Sequence, residues 1–474
     1  MKRTLFGLTL AAVILGTVLA LLFPGCKPRA KPGGGDSTES DNVLWRNELF
    51  DFAIDTLLNR TDEFYTAERQ QQTINRLDQW VRLQKPLEGW KPDPVIAGVT
   101  EDLQTGTTQL LDLAQRITRL QQGDNTVRLD DMPGEFRSAG ERLGTVGMRL
   151  ALLDILQLGS QMVAMADQVE KTLGENAAAP DQAPQAVRTL FAKFNVEEFE
   201  RLAAELSLLS RRIDPSMLEF PAMDSTTFQE AVWLRNVASW ASGEELDDPV
   251  KPAVALFDWV VKNVQLGREP IAEDSNPQTH VFQTPMETLL FGQGTGIDRA
   301  WLFVLLARQR NIDAALLGLV DENNNLNRLW GVGVLIEGEI YLFEPVLGVP
   351  IPKPGSQKLA ENGLTFEPAT LAEAASNEAV FQQLDLFKEG DYMVRSKDMQ
   401  RVVALVEASP SCLSQRMKMV EKRLTGDQKI VLTTDVTAQI ERFKQCKHVV
   451  DGRMWTLPYQ TIWQQIRFFR AARD

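Results

Sequence analysis

A glycine-rich turn that leads into an apolar helix is the segment of this sequence best suited to chemistry. The turn Gly292–Gly296 contains three glycines, and nearly every residue of the following run, Ile297–Leu306, is apolar. The N-terminus of such a helix carries partial positive charge and unpaired N–H groups, which lower the pKa of a thiol and stabilise an oxyanion. The polar groups at this position, Thr295, Asp298 and Arg299, are therefore candidate cleft residues.

Few side chains elsewhere in the chain could complete a catalytic site. The two histidines are His280, in the loop before the apolar helix, and His448, near the C-terminus, and no cysteine lies in the turn. The glycines also suggest a phosphate-binding loop, but such a loop follows a strand and ends in Lys followed by Ser or Thr. Here Pro285–Phe291 is typical of a helix, so we prefer a tight turn that admits the next helix to the core.

The elements around this turn are predicted from periodicity. An amphipathic helix is predicted over about residues 250–264, and the run from Gly296 to Asn311 predicts a helix that is buried on most sides. Three strands are predicted to follow, at Ala314–Val320, Trp330–Ile336 and Glu339–Pro345. The last two strands are separated by Glu337 and Gly338, which is the length of a two-residue hairpin loop.

This order of elements resembles the transglutaminase-like superfamily, in which a papain-like fold places a Cys nucleophile at the start of a buried helix. The family's helix pattern, Gly-x-Cys-x-Asp-x-Ala and later Leu-x-Arg-x-x-Gly-Ile-x-Ala, is matched at Gly294, Asp298, Ala300, Leu306, Arg308, Ile312 and Ala314. Further along, Leu329–Val334 resembles the family's His-x-Trp-x-x-Val motif. Glu337-Gly338 then corresponds to the family's Gly turn, and Glu344-Pro345 to its Asp-Pro. The resemblance covers about residues 250–350.

The departures from the family pattern decide what the resemblance implies. The nucleophile position is Gly296, the base position is Leu329 and the carboxylate position is Glu344, where the family has Cys, His and Asp. Glycine supplies no nucleophile and leucine cannot transfer a proton. The resemblance therefore implies a transglutaminase-like domain without thiol chemistry. Only Cys412 and His280, if they reached the start of the buried helix, could restore it.

The predicted fold class is α+β. Changes in composition and in hydrophobic periodicity along the chain predict its domain organisation. Apolar residues at three- and four-residue spacing predict a series of helices before the transglutaminase-like segment. The predicted segments are an export segment at 1–25, a flexible tether at 26–40, a helical domain at 41–245, a transglutaminase-like core at 246–352 and a mainly helical region at 353–474, with a short strand at Ile430–Thr433.

Charge is distributed unevenly between the body and the C-terminal tail. The chain has a net charge of −14, whereas Met393–Asp474 contains 15 Lys and Arg against 8 Asp and Glu, a net charge of +7. An acidic body argues against nucleic acid as a partner. The interpretation that we prefer is a basic tail docked on the acidic body, and the alternative is a tail that touches anionic lipid.

The N-terminus predicts export and attachment to a membrane. Lys2 and Arg3 precede an uncharged apolar run, Thr4–Phe23, which has the pattern of an export signal and is long enough to cross a bilayer. Gly25-Cys26, followed by a Lys-, Pro-, Gly- and Ser-rich stretch, resembles a bacterial lipoprotein cleavage site with Cys26 as the lipidated residue. An uncleaved signal anchor is the alternative, and both place the body outside the cytoplasm in the cell envelope.

Two further alternatives concern the tail. Outside the cytoplasm Cys412 and Cys446 are candidates for a disulfide, with two free buried thiols as the other possibility. The aromatic and basic final helix, from Pro458 onward, either packs on the protein or lies on a membrane surface. We prefer packing for the helix.

These patterns lead to a functional hypothesis. The chain is expected to be a membrane-tethered envelope protein that binds protein or peptide without catalysis, and it is expected to need no metal or cofactor. A hydrolase or transferase that uses non-thiol chemistry in the same cleft is one alternative. A purely structural envelope protein is the other.

Overall fold

The fold is mixed α+β, as predicted, with sixteen α-helices among the described residues. The computed structural model describes residues 39–59, 66–178, 182–243, 248–267, 283–360, 363–385, 388 and 390–471. The helices are α1 (Glu39–Asn59), α2 (Ala67–Arg82), α3 (Pro94–Gln121), α4 (Met132–Arg149), α5 (Leu153–Glu175), α6 (Ala183–Phe191), α7 (Val196–Ile213), α8 (Met223–Ser242), α9 (Lys251–Asn263), α10 (Pro285–Phe291), α11 (Gly296–Gln309), α12 (Leu371–Ser376), α13 (Ala379–Gln382), α14 (Gln415–Glu421), α15 (Val436–Lys444) and α16 (Leu457–Ala471).

The described strands form one large sheet and two small pairs. They are β1 (Gln265–Leu266), β2 (Gln293–Gly294), β3 (Asp313–Val320), β4 (Leu326–Ile336), β5 (Glu339–Glu344), β6 (Val349–Pro350), β7 (Lys358–Ala360), β8 (Gly363–Thr365), β9 (Val402–Glu407) and β10 (Val449–Trp455). The six-stranded sheet has the order β10-β9-β3-β4-β5-β6, and β1 pairs with β2 and β7 with β8.

The predicted membrane attachment lies outside the described residues. This applies to the export segment 1–25, to Cys26 and to all of the predicted tether except its last two residues, which belong to α1. Among the residues that are described, no helix combines the length and the apolar character needed to cross a membrane.

The chain folds into two compact units that do not follow the predicted segments. The sheet unit combines the described residues of Met1–Lys91 with Ser216–Trp455, and the helical unit combines Pro92–Pro215 with Thr456–Asp474. The predicted helical domain at 41–245 is thus divided between the two units. The division arises because α1, α2 and α8 share one apolar core with residues of the C-terminal region such as Met417 and Leu432.

The helical unit contains α3 to α7 and α16. Its helices have the predicted apolar stripes, and Leu103, Leu110 and Ile117 are all buried along α3. The final helix packs within this unit, since Trp463 is buried and Arg467 forms an ion pair with Asp154. Packing was the interpretation preferred from the sequence.

Helices α4 and α5 of the helical unit approach each other closely through glycines. A Cβ atom built on Gly159 would lie 2.5 Å from the backbone N of Gly144 and 2.6 Å from the carbonyl oxygen of Gly140. A Cβ on Gly147 would lie 2.3 Å from the backbone N of Leu156. Any side chain at Gly147 or Gly159 would therefore push the two helices apart.

The central strands of the sheet unit match the prediction. Strands β3, β4 and β5 are consecutive and antiparallel, and β4 and β5 are joined by the predicted hairpin. Glu337 and Gly338 have φ angles of 52° and 84°, and two positive φ angles are what a type I′ turn requires. Gly supplies the second of these conformations without strain.

The C-terminal part of the sheet was predicted incorrectly. The mainly helical region contributes β9 and β10, which pair in parallel, and β9 also pairs antiparallel with β3. The segment predicted as a strand, Ile430–Thr433, has no regular secondary structure. All six residues of β9 are buried, so its sequence is continuously apolar up to Glu407 and lacks the alternation that identifies a half-exposed strand.

The basic tail docks on the acidic body of the sheet unit, as preferred from the sequence. Arg416 of α14 forms an ion pair with Asp224 of α8, and Arg442 of α15 forms one with Asp313 of β3. Opposite charges in these two parts of the sequence are therefore partners in the folded unit.

Candidate functional site

The start of α11 is built by a series of caps. Thr284 caps α10 in a capping box, and α10 ends at Gly292 in the left-handed conformation with φ 59°. The chain then pairs briefly with β1 through β2 before Thr295 begins α11. As predicted, α11 is buried on most sides, and its first turn is also largely buried, with Asp298 and Arg299 each 7% exposed.

Thr295 and Asp298 form hydrogen bonds with each other, so these groups are not free to bind a ligand. The Asp298 Oδ2 accepts hydrogen bonds from the Thr295 N–H at 2.8 Å and the Thr295 Oγ1 at 2.9 Å, and Asp298 N–H donates to Thr295 Oγ1 at 3.3 Å. This is a capping box with Asp at its third helical position. A Cβ on Gly294 would lie 2.8 Å from the Asp298 Cβ, so the glycine lets the box close.

Arg299 ties the helix to the backbone around it. Its Nε and Nη2 donate to the Val264 carbonyl at 2.9 and 2.6 Å, and its Nη1 donates to the Pro345 carbonyl at 3.0 Å. Burial lowers the pKa of Arg299, and the nearby charge of Glu344 opposes that shift. The guanidinium is therefore a structural cross-link between three segments.

Glu344, at the predicted carboxylate position, caps a turn. Its Oε1 accepts from the Val346 N–H at 3.1 Å, and its Oε2 accepts from the Leu347 N–H at 2.6 Å. The side chain is buried at the end of β5, and the Gly348 N–H donates to its carbonyl at 2.9 Å. The carboxylate is thus engaged by two backbone donors.

Aromatic side chains pack around Trp330, the residue after the base position in β4. Leu329 is half-buried in β4, and the indole N–H of the adjacent Trp330 donates to the Tyr392 hydroxyl at 2.6 Å. Phe381 packs edge-on against Trp330 and stacks with Tyr392, both at 6.2 Å between ring centroids. Burial and the charge of Glu344 raise the pKa of Tyr392, so the phenol remains neutral.

Of the two residues that could have restored thiol chemistry, the structure describes only Cys412. His280 lies outside the described residues. Cys412 contacts Arg308, in the last turn of α11, which lies about 18 Å along the helix axis from Gly296. The thiol is therefore at the opposite end of the helix from the nucleophile position.

Of the two alternatives for Cys412 and Cys446, a disulfide or two free thiols, the structure has two free thiols. Cys412 is buried and donates to the Ser409 carbonyl at 3.0 Å, whereas Cys446 is half-buried beside the carbonyls of Gly338 and Arg442. Each thiol has its own acceptor on a different part of the sheet unit.

A buried charged group surrounds Cys412, and sequence reasoning missed it. Arg308 forms an ion pair with Glu407 at the end of β9, and its Nη2 donates to the Glu407 carbonyl at 2.9 Å. Burial and the charge of Glu407 raise the pKa of the Cys412 thiol to about 12, against the opposing effect of Arg308. Because β9 was predicted as helix, nothing in the sequence placed Glu407 beside Arg308.

These environments predict different reactivities for the two thiols. We expect iodoacetamide to alkylate Cys446 at least about tenfold faster than Cys412 in the folded protein, since thiolate and solvent access are both required. Peptide mapping by mass spectrometry separates the two sites from Cys26. In denaturant both should react at similar rates, and equal rates in the folded protein would contradict the burial of Cys412.

The structure thus brings together Thr295, Asp298, Arg299 and Glu344 at one end of α11, but each is engaged within the protein. No group of three or more His, Cys, Asp or Glu residues in the described part of the chain could hold a metal ion. Comparisons with protein-family models, curated proteins and solved structures gave no match for this chain.

Proposed function

We propose that this chain is a membrane-tethered protein of the cell envelope whose α9–β5 segment is a catalytically inactive transglutaminase-like domain that binds protein or peptide. The order of a buried helix followed by three antiparallel strands, β3, β4 and β5, supports that assignment. The first 25 residues support export, with lipidated Cys26 or an uncleaved anchor as the point of attachment.

The observation that carries the proposal is the engagement of every polar candidate at the start of α11. Thr295 and Asp298 form a capping box, and Arg299 and Glu344 bind backbone groups. A general base or nucleophile needs a free lone pair or proton directed at a substrate. The enzyme alternative, with Thr295, Asp298 and Glu344 as its reactive groups, is therefore the weaker one.

Exposed apolar side chains around the same end of α11 favour a protein or peptide as the ligand. Leu290 and Phe291 end α10, and Val346 and Leu347 follow β5, with exposed fractions between 41% and 55%. Arg299 links these two places, because it binds the carbonyls of Val264 and Pro345 and β1 pairs with the strand after α10. Exposed apolar side chains of this size are available for burial against a protein partner.

Crosslinking in intact envelopes tests this proposal. We expect the L290E/V346E variant to lose at least about fivefold in yield of the crosslinked partner, equivalent to about 1 kcal/mol of binding. The matched control is M148E/L153E, since Met148 and Leu153 are also exposed but lie in the helical unit, and its yield should be unchanged.

Two outcomes would overturn the proposal. One is hydrolysis of a peptide library by the purified protein that is abolished in T295A/D298N, which would make it an enzyme. The other is an equal crosslinking yield for both glutamate variants, which would remove the start of α11 from the binding surface.

A further inference from the structure

A polar cavity lies at the other end of α11, within the sheet unit. Its volume is about 580 Å³. Its walls come from α8, from the end of α11 and from the segment that precedes α15. The lining residues are Arg235, Asn236, Ser239, Gln309, Arg310, Asn311, Asp427, Lys429 and Val431. A volume in this range fits a small organic ligand rather than a single ion.

Hydrogen bonds between the walls hold the cavity open. The Gln309 side chain donates to the Val431 carbonyl at 2.9 Å and accepts from the Val431 N–H at 3.2 Å. Arg235 Nη1 donates to the Asp427 carbonyl at 3.3 Å. The segment carrying Asp427 and Val431 is thereby fixed to both helices, so the site is formed before any ligand arrives.

The cavity is basic in an acidic chain. Arg235, Arg310 and Lys429 line it against the single carboxylate of Asp427, although the whole chain has a net charge of −14. Among the described residues, neither Arg310 nor Lys429 has an ion-pair partner. These cations are therefore available to an anion from solution.

Arg235 is held in place by neutral groups alone. Its Nε and Nη2 donate to Asn236 Oδ1 at 3.1 and 2.8 Å, and its third contact is the Asp427 carbonyl. Burial lowers the pKa of Arg235, with no carboxylate to offset it. A half-buried cation without a counter-charge is stabilised by an anionic ligand.

We propose that this cavity binds a small phosphomonoester. Three cations from three walls match a group with three terminal oxygens and about two negative charges at neutral pH. The excess of two positive charges in the cavity matches that charge. The space beyond a phosphate group accommodates a hydroxyl-bearing organic part, for which Ser239 and Asn311 supply polar partners.

Stabilisation of a helix C-terminus accounts for only one of the cations. Arg310 is the C-cap of α11, where its positive charge interacts favourably with the negative end of the helix dipole and stabilises the helix. Lys429 follows a single 3₁₀ turn, Gly426–Gln428, and Arg235 lies within α8, so the dipole of a long helix does not explain them. The experiment therefore removes Arg310 and Lys429 together.

Isothermal titration calorimetry with the full chain tests the proposal, using glucose 6-phosphate, inorganic phosphate, glucose and succinate as probes at low salt. We expect saturable binding of glucose 6-phosphate, weaker binding of phosphate and none of glucose. The R310Q/K429Q variant should bind glucose 6-phosphate at least about tenfold more weakly. The control K251Q/K447Q removes two other exposed lysines of the sheet unit and should bind within about twofold of the parent.

Three results would overturn the proposal. Absence of saturable binding of glucose 6-phosphate and phosphate at millimolar concentrations removes the site. Equal binding by R310Q/K429Q and the parent places any binding elsewhere. If succinate binds as tightly as glucose 6-phosphate, the site is not specific for a phosphomonoester and a dicarboxylate becomes the better ligand class. Because these probes do not involve the start of α11, failure here leaves the proposed protein-binding function untouched.

Discussion

Replacing Arg416 with Met should destabilise the sheet unit by about 3–5 kcal/mol, because it leaves a buried carboxylate without its partner. Arg416 Nε donates to Asp224 Oδ2 at 2.6 Å and Nη2 donates to Oδ1 at 3.3 Å. Each side chain is only 2% exposed, and the pair joins α8 to α14. An unpaired ion at this depth has no access to water.

Tryptophan fluorescence during urea unfolding measures this effect. Of the ten tryptophans only Trp463 belongs to the helical unit, so the signal reports mainly on the sheet unit. The R82M variant is the matched control, because the Arg82–Glu219 pair is 66% and 67% exposed and should contribute less than about 1 kcal/mol.

A double variant separates the charge from the packing. D224N/R416M removes both charges and should be less destabilised than R416M alone, since no unpaired ion remains. A loss for R416M no larger than that for R82M would show that the buried pair contributes little.

The second large effect is expected in the helical unit, at the crossing of α4 and α5. G147A and G159A should each destabilise this unit by about 1–3 kcal/mol or more, because the added methyl group meets backbone atoms that cannot rotate away. The gain in helix propensity from Gly to Ala, about 1 kcal/mol, opposes this only in part.

Gly144 provides the control on the same helix. A Cβ at Gly144 meets no atom within 4 Å, so G144A should stabilise α4 by up to about 1 kcal/mol. Hydrogen exchange measured by mass spectrometry reports on peptides of α4 and α5 directly. Unchanged protection in G147A and G159A, or equal losses in all three variants, would contradict the close approach.

Much of the local structure was predictable because it depends on neighbouring residues. The stripe of α3 and the hairpin at Glu337-Gly338 follow from spacing and turn chemistry. Strand β9 was missed because it is buried throughout, and a short apolar run is compatible with either helix or strand.

The candidate site likewise has features that neighbouring residues determine and features that only the tertiary fold determines. The capping box between Thr295 and Asp298 depends on residues only three positions apart, and Arg299 follows directly in the sequence. The carbonyl groups that bind Arg299 are 35 and 46 residues away, so their arrangement depends on the tertiary fold. The basic cavity joins Arg235 to Lys429 across almost 200 residues, and no sequence pattern connects them.

The discontinuous order of the two units has a consequence for biosynthesis. The sheet unit receives its last strand, β10, only at Trp455, and the helical unit gains α16, which packs on α7, after that. Because domains generally fold as units, neither unit can complete its fold until nearly the whole chain has been synthesised. A nascent chain that stays incompletely folded until its final helix has been synthesised remains able to pass through a membrane translocation channel. This property is compatible with the export that we propose for the protein.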